Sequence, residues 1–264
     1  MGPAPNAGHP PHRGWGSPAW SGLTTHSGLR LNLPHVEVTP DRSGWRVTVK
    51  IAETLLACDA SELGEWVDYR NVWRRTGVAD ARVWGKFAPL LENGRYHFAG
   101  RCGSHPYGFG EAVVALALHR CGFTTWTGVH LFGRRPRTAS ARVRNTQAVE
   151  RLLQQRGCPV APELHSVNAA AKNPDIAAYH PRRDSWCFCE VKRAEKVDPG
   201  QVIGLSILHL LTGADIGIVR LVERVDMNAK IHTAQFRWPS SVPLRACAMR
   251  QSDAKAKRKA LRHS

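Results

Sequence analysis

The sequence predicts an α/β protein: a mixed β-sheet with helices on its faces, an N-terminal α+β region and flexible ends. Three observations carry this. From Gly108 onward, helical and strand patterns follow in the order helix, strand, insert, two strands, helix, strand. Ile216–Val222 is an almost unbroken apolar run, as expected of a central strand covered on both sides. Ahead of that run, "DPGQVIGLSILHLLTG" carries a full helix-start signal and a glycine stop. At 264 residues, 42% of them hydrophobic, the chain can bury a sizeable core in one large domain or two small ones.

Each element has its own signal. Residues 1–33 are rich in Pro, Gly, Ser and His and read as disordered or loosely docked. Residues 34–105 form an N-terminal region, a candidate recognition subdomain without a catalytic motif. Within it "WRVTVKI" (Trp45–Ile51) alternates bulky and polar residues and predicts a strand. Asp59 or Ser61 caps a helix to about Arg75, with Leu63, Trp66, Val67 and Val72 on one face, and a second helix covers Ala79–Leu91. The main domain is 106–240. "GFGEAVVALALHRCGF" is a mostly buried helix ending near Gly122, and "TTWTGVHLF" follows as a strand. An arginine-rich insert, 133–172, includes a helix at about Asn145–Gln155 that Gly157 and Pro159 stop. Asp175–Tyr179 and Ser185–Arg193 are strands joined through "HPRRD". Asp198, Pro199 and Gln201 open the next helix as N-cap, first residue and third residue, and Gly213 ends it. "ADIGIVRLV" and "KIHTAQFRW" close the series as strands, and 241–264 is a basic tail.

Thirty-seven Lys and Arg against 21 Asp and Glu leave a net charge of +16 and a pI near 10.2. Such a surplus points to a polyanion, nucleic acid before a membrane surface. Residues 245–264 carry +6 of it and 1–33 carry +2, so 34–244 is itself basic at +8. Five arginines (Arg134, Arg135, Arg137, Arg142 and Arg144) stand without an acid between Gly133 and Arg144, and are candidates for phosphate contacts. The first twenty residues hold no apolar signal segment, and no run reaches the roughly 18 apolar residues of a spanning helix. Seven cysteines then read as reduced thiols of a cytoplasmic protein.

The chemistry concentrates in "NPDIAAYHPRRDSWCFCEVKRAEK" (Asn173–Lys196). Alternation puts Phe188, Glu190 and Lys192 on one strand face and Cys187, Cys189 and Val191 on the other. Glu190 and Lys192 are thus about 6–7 Å apart along the strand. A hairpin brings Asp175 toward Glu190, with its register left open by the length of the turn. Two carboxylates meeting in a partly dry site repel, and a hard divalent cation removes the conflict. The lysine beside them suits an attacking water or the charge on phosphorus.

Pro174-Asp175, fourteen residues, then Glu190-Val191-Lys192 resembles the signature of the PD-(D/E)XK nuclease superfamily. The element order is similar to the virus-type replication-repair nuclease and Holliday-junction-resolvase branches, over residues 108–222. The resemblance implies a restriction-endonuclease-like fold and a Mg²⁺-dependent nuclease, with Mn²⁺ as a substitute. It makes Asp175, Glu190 and the Val191 carbonyl metal ligands and Lys192 catalytic. Glu111, on the helix before the sheet, and Gln201, on the helix after it, fill two further places. The long insert departs from the usual pattern and leaves Glu150 and Glu163 as alternatives to Glu111.

The expected partner is nucleic acid, DNA before RNA, with a homodimer as a further option and no membrane. The rival readings are a non-catalytic nucleic-acid-binding module on the same fold and an interaction protein working through its basic ends. Zinc held by Cys187, Cys189 and His180 is a weak alternative, because a C-x-C pair in a strand lacks the usual loop spacing. The pattern around His97, Cys102 and His105 is equally weak. Trp15 and Trp20 are candidates for base stacking.

Overall fold

The computed structural model describes residue 29 and residues 31–58, 63–64, 66, 87, 90, 108–133, 141–158, 167–223 and 228–242. In chain order these residues form β1 (His35–Asp41), β2 (Gly44–Ala57), α1 (Phe109–Arg120), β3 (Thr124–Thr127), α2 (Ala141–Gln155), β4 (Ile176–His180), β5 (Ser185–Lys192), α3 (Pro199–Thr212), β6 (Asp215–Val222) and β7 (Ile231–Pro239). The seven strands make one mixed sheet in the order β1-β2-β6-β5-β4-β3, with β7 also on β2. β6 runs parallel to β5 and to β2, and the other pairings are antiparallel.

The sheet separates two apolar layers. On one face Ala177, Phe188, Ile216 and Ile218 pack with Val202, Leu205 and Leu208 of α3 and with Val149 and Leu153 of α2. On the other, Ile176, Ala178, Cys187, Cys189, Val191 and Val219 pack with Ala112, Val114, Ala115 and Leu118 of α1. Burying a large apolar side chain here stabilises by about 1.5–3 kcal/mol. α1 is buried on most of its circumference, because Trp66, Phe87 and Leu90 join the same layer. Trp66 meets Phe87 edge-on at 5.2 Å and reaches Phe109 at 6.4 Å.

β2 is twice the length foreseen for its strand. Its first part, Gly44–Ala52, pairs with β7, and Glu53–Ala57 continues beside β6. The sheet therefore runs across the boundary expected between 34–105 and 106–240. Two more expectations change. "HVEVTPD", not foreseen as a strand, is β1, its Val36 and Val38 pairing against Val49 and Val47. "TTWTGVHLF" is strand only to Thr127, because Gly128 takes φ 65 and turns the chain away. The inner end of the N-terminal segment also docks: Leu31 lies against Gly217, where a Cβ would meet its Cδ2 at 2.7 Å, and Asn32 Nδ2 donates to the Glu53 carbonyl at 2.9 Å. The helices expected over 59–75 and 79–91 lie outside the described residues except Leu63, Gly64, Trp66, Phe87 and Leu90. No helix among the described residues is long and apolar enough to cross a membrane.

Candidate active site

The β4–β5 hairpin answers the register question. His180 pairs with Ser185 across a four-residue turn, and Ile176 pairs with Cys189. Asp184 adopts φ 51 in that turn, its Oδ1 accepts from Tyr179 Oη at 2.7 Å, and Arg183 N donates to His180 Nδ1 at 3.2 Å. One step before Ile176, Asp175 stands opposite Glu190. Its Oδ2 accepts the Val191 N–H at 2.8 Å. Glu190 is 0% exposed. Lys192 Nζ donates to Glu190 Oε1 at 2.6 Å, and Gln201 Nε2 makes a short hydrogen bond to the same oxygen.

Gln201 serves two purposes with one side chain. Its Oε1 accepts the Asp198 N–H at 2.9 Å while Asp198 Oδ1 accepts the Gly200 N–H at 2.7 Å, closing the capping box of α3. That cap turns Nε2 toward Glu190. The chain leading to Asp175 is set by the same helix. A Cβ on Gly200 would run into the Ala170 carbonyl oxygen, and one on Gly204 into that of Lys172. Lys172 N donates to the Gly200 carbonyl at 2.9 Å, and Lys172 Nζ pairs with Asp198 Oδ2 at 2.6 Å. Two glycines four apart thus let residues 170–172 cross α3 at backbone contact, and Asp175 follows three residues later.

Glu111 reaches the group from the opposite layer. It lies in the first turn of α1, whose entry is pressed onto the sheet at Gly110, where a Cβ would meet Val191 Cγ1 at 2.9 Å. Burial, then the Asp175 charge, push the Glu111 carboxyl up to about 7. Burial, then Asp175, push Glu190 up to about 9, against the pull of Lys192. Burial raises Asp175 as well, opposed by its bond from Val191 and by a hydrogen bond shared with Glu190. Glu190 Oε2 is buried without a donor directed at it. A proton held between the two acids satisfies the pair only when one of them is neutral.

The same features bear on whether a cation could be held here. Among the described residues no group of three or more His, Cys, Asp or Glu is arranged to hold a metal ion by itself. Mg²⁺ needs less: one or two carboxylates, with water and phosphate filling the remaining positions. Two adjoining carboxyls, an undonated buried oxygen and raised proton affinities are the properties that such an ion relieves. Asp175 and Glu190 are therefore the side chains that could hold a hard divalent cation.

Asp175, Glu190, Lys192, Gln201 and Glu111 are thus brought together, and Glu195 joins them, acting on both Glu111 and Asp175. Sequence reasoning passed over Glu195; its position three residues after Lys192 was the available signal. Glu150 is buried on α2 and is not among the charges acting most strongly on Asp175 or Glu190. Glu163, Arg134, Arg135, Arg137, His97, Cys102, His105, Trp15 and Trp20 lie outside the described residues. Of the arginines, Arg142 and Arg144 fall in the first turn of α2, the second exposed. Asn173 ties the start of that arginine-rich stretch to the site: its Oδ1 accepts from Phe132 N at 2.6 Å and its Nδ2 donates to Phe132 O at 3.0 Å. Cys187 and Cys189 touch at 3.5 Å inside the α1 layer, where their mutual hydrogen bond, then burial, push the Cys187 thiol up. His180 faces Phe123 instead, edge-on at 5.1 Å. Comparison with protein-family models, with curated proteins and with solved structures finds no match for this chain.

Proposed function

We propose that this chain is a Mg²⁺-dependent nuclease on a restriction-endonuclease-like fold, similar to the PD-(D/E)XK superfamily and hydrolysing phosphodiester bonds in DNA. The observation that carries the reading is the meeting of Asp175 and Glu190 on one sheet face, with Lys192 and Gln201 both bound to Glu190 Oε1. The order α1–β3–α2–β4–β5–α3–β6, with α2 inserted in the arginine-rich stretch and with one parallel and two antiparallel pairings, supports it.

Asp175, Glu190 and the Val191 carbonyl would hold the ion, with Glu111 at its outer side. When bound, it would supply Lewis-acid polarisation of the phosphoryl group and a water of lowered pKa. The remaining work falls to the side chains. Lys192, released from Glu190 Oε1, holds the attacking water or offsets charge on phosphorus. Gln201 keeps Glu190 aimed through its bond to Oε1. Glu111, its carboxyl raised by burial and by Asp175, would move a proton at the edge of the site. The arginines that follow Phe132 would hold the phosphate backbone beside the site.

The test is cleavage of duplex, single-stranded and branched DNA, and of RNA, in Mg²⁺ or EDTA, by the natural chain and by Asp175→Ala and Lys192→Ala. Expected is Mg²⁺-dependent cutting that each substitution lowers by at least about 100-fold, with DNA binding kept. Cutting that survives both substitutions overturns the proposal. Binding without any cutting selects the non-catalytic binding module instead.

A further inference from the structure

A second charged cluster lies on the same sheet face, two strands away from Glu190. Glu53 of β2, Ile218 of β6 and Glu190 of β5 share one row of the sheet, and Leu55, Arg220 and Lys192 share the next. Glu53 is 1% exposed and Arg220 8%. Arg220 Nε and Nη2 donate to Glu53 Oε1 at 3.0 and 2.7 Å, and His232 Nε2 stands 2.9 Å from the same oxygen. Burial works to raise Glu53, but the bonds from Arg220 and His232 and the Arg220 charge outweigh it and hold the acid at about 2.

Arg220 has a third nitrogen, and it points the other way. Nη1 donates to the Arg193 carbonyl at 2.6 Å and to the Glu195 carbonyl at 3.2 Å. Those carbonyls belong to the segment directly after Lys192. That segment is held further by Glu195 Oε2, which accepts the Arg193 N–H at 2.9 Å, and by the Arg193 guanidinium over the Phe109 ring at 5.8 Å. Four of the five guanidinium N–H groups are thus engaged. A buried ion pair adds little net stability over an apolar pair of the same shape, so stability alone is a weak reason for one at this spot. Its geometry serves position: Glu53 fixes the fork, and the fork fixes the main chain that carries Lys192 and Glu195. It also keeps Arg220, a cation in the row next to Glu190, engaged elsewhere.

We propose that the Glu53–Arg220 pair is a positioning device, which holds residues 193–195 by their carbonyls and so sets Lys192 and Glu195 against Asp175 and Glu190. Its catalytic consequence rests on the nuclease reading; its geometry does not.

The variants are Arg220→Met and the double variant Glu53→Gln/Arg220→Met, which leaves no buried charge unpaired and keeps the test open if the single variant fails to fold. Arg237→Met, at an exposed arginine of β7, is the control. Hydrogen exchange is followed by peptide, and the Lys192 side chain by NMR of ε-¹³C lysine, assigned with Lys192→Arg. Exchange at 193–196 is expected to rise at least about tenfold while α3 keeps its protection. The Lys192 resonance moves in both Arg220 variants and stays in the control. Cleavage loses about 100-fold in kcat with little change in KM, as expected for a group displaced by about an ångström. A folded double variant with unchanged exchange at 193–196 and an unmoved Lys192 resonance overturns the proposal. So does an unchanged kcat once those residues are loosened. If the natural chain cuts nothing, the nuclease reading fails, while exchange and the lysine resonance still decide the positioning role.

Discussion

Glu190 is a fully buried acid whose two oxygens have unequal surroundings. One of its oxygens is shared by Lys192 and Gln201, and the other is buried without a donor beside Asp175. With its carboxyl pushed up to about 9, the folded metal-free protein keeps a proton there that the unfolded chain releases near 4.5. Between those values the unfolded state binds fewer protons, so this group removes stability steadily as pH rises. Two outcomes follow. In EDTA at pH 8, Glu190→Gln melts higher than the natural chain, by about 2–4 °C for each kcal/mol relieved, yet loses cleavage. A variant that melts lower and still cuts would sink this account. Mg²⁺ raises the melting temperature of the natural chain more at pH 8 than at pH 6, because protons and cation compete for the same oxygens. Equal shifts at both pH values, or the same shift in Asp175→Ala, would place the ion elsewhere.

At the scale of elements, the contact between α3 and residues 170–172 holds the site's two halves together. Gly204→Ala sets a methyl against the Lys172 carbonyl oxygen, with no flexible side chain to yield. Overpacking of this kind costs about 1–3 kcal/mol, and the strand entering at Asp175 is what must shift. Denaturant melts and cleavage rates are expected to fall together. Gly64→Ala is the contrast, since nothing lies within 4 Å of its added Cβ. There, at a residue in helical conformation, about 0.5–1 kcal/mol is gained, and cleavage is unchanged. A Gly204→Ala protein with natural stability and rate would refute the crossing as a constraint. These contacts also mark what the sequence could reveal. Glu190 and Lys192 were legible because strand alternation puts them on one face, Asp175 only as far as the open hairpin register allowed, and Gln201 as a capping residue within Asp198–Gln201, its place at the site coming from the resemblance. The glycine crossing was not legible, since nothing local says which backbone meets Gly204. Glu53 and Arg220 are 167 residues apart, and their pairing exists only once β2 passes from β7 to β6. Glu195 differs again: it was near in sequence, but its carbonyl is held by Arg220 of β6, which no local pattern shows.

Over the whole molecule, the net charge of +16 is divided between the sheet domain and the ends. On the proposed nuclease reading, the acids at the site would attract a cation and repel a phosphate backbone, so DNA would be held by charges placed elsewhere. Phosphate contacts of that kind release counterions, and the slope of log affinity against log salt counts them at about 0.9 each on duplex DNA and about 0.7 on single strands. Removal of residues 245–264, with seven Lys and Arg, is expected to flatten the duplex slope by at most about six. Arg142→Gln with Arg144→Gln flattens it by up to about two. Neither change alters kcat at saturating DNA or creates a sequence preference, because contacts to phosphate carry no base information. Fluorescence anisotropy from low to moderate salt, paired with single-turnover cleavage, measures both quantities on the same samples. A slope indifferent to both changes would remove the basic segments from the binding surface. A large fall in single-turnover rate with an unchanged slope would assign Arg142 and Arg144 to the chemistry.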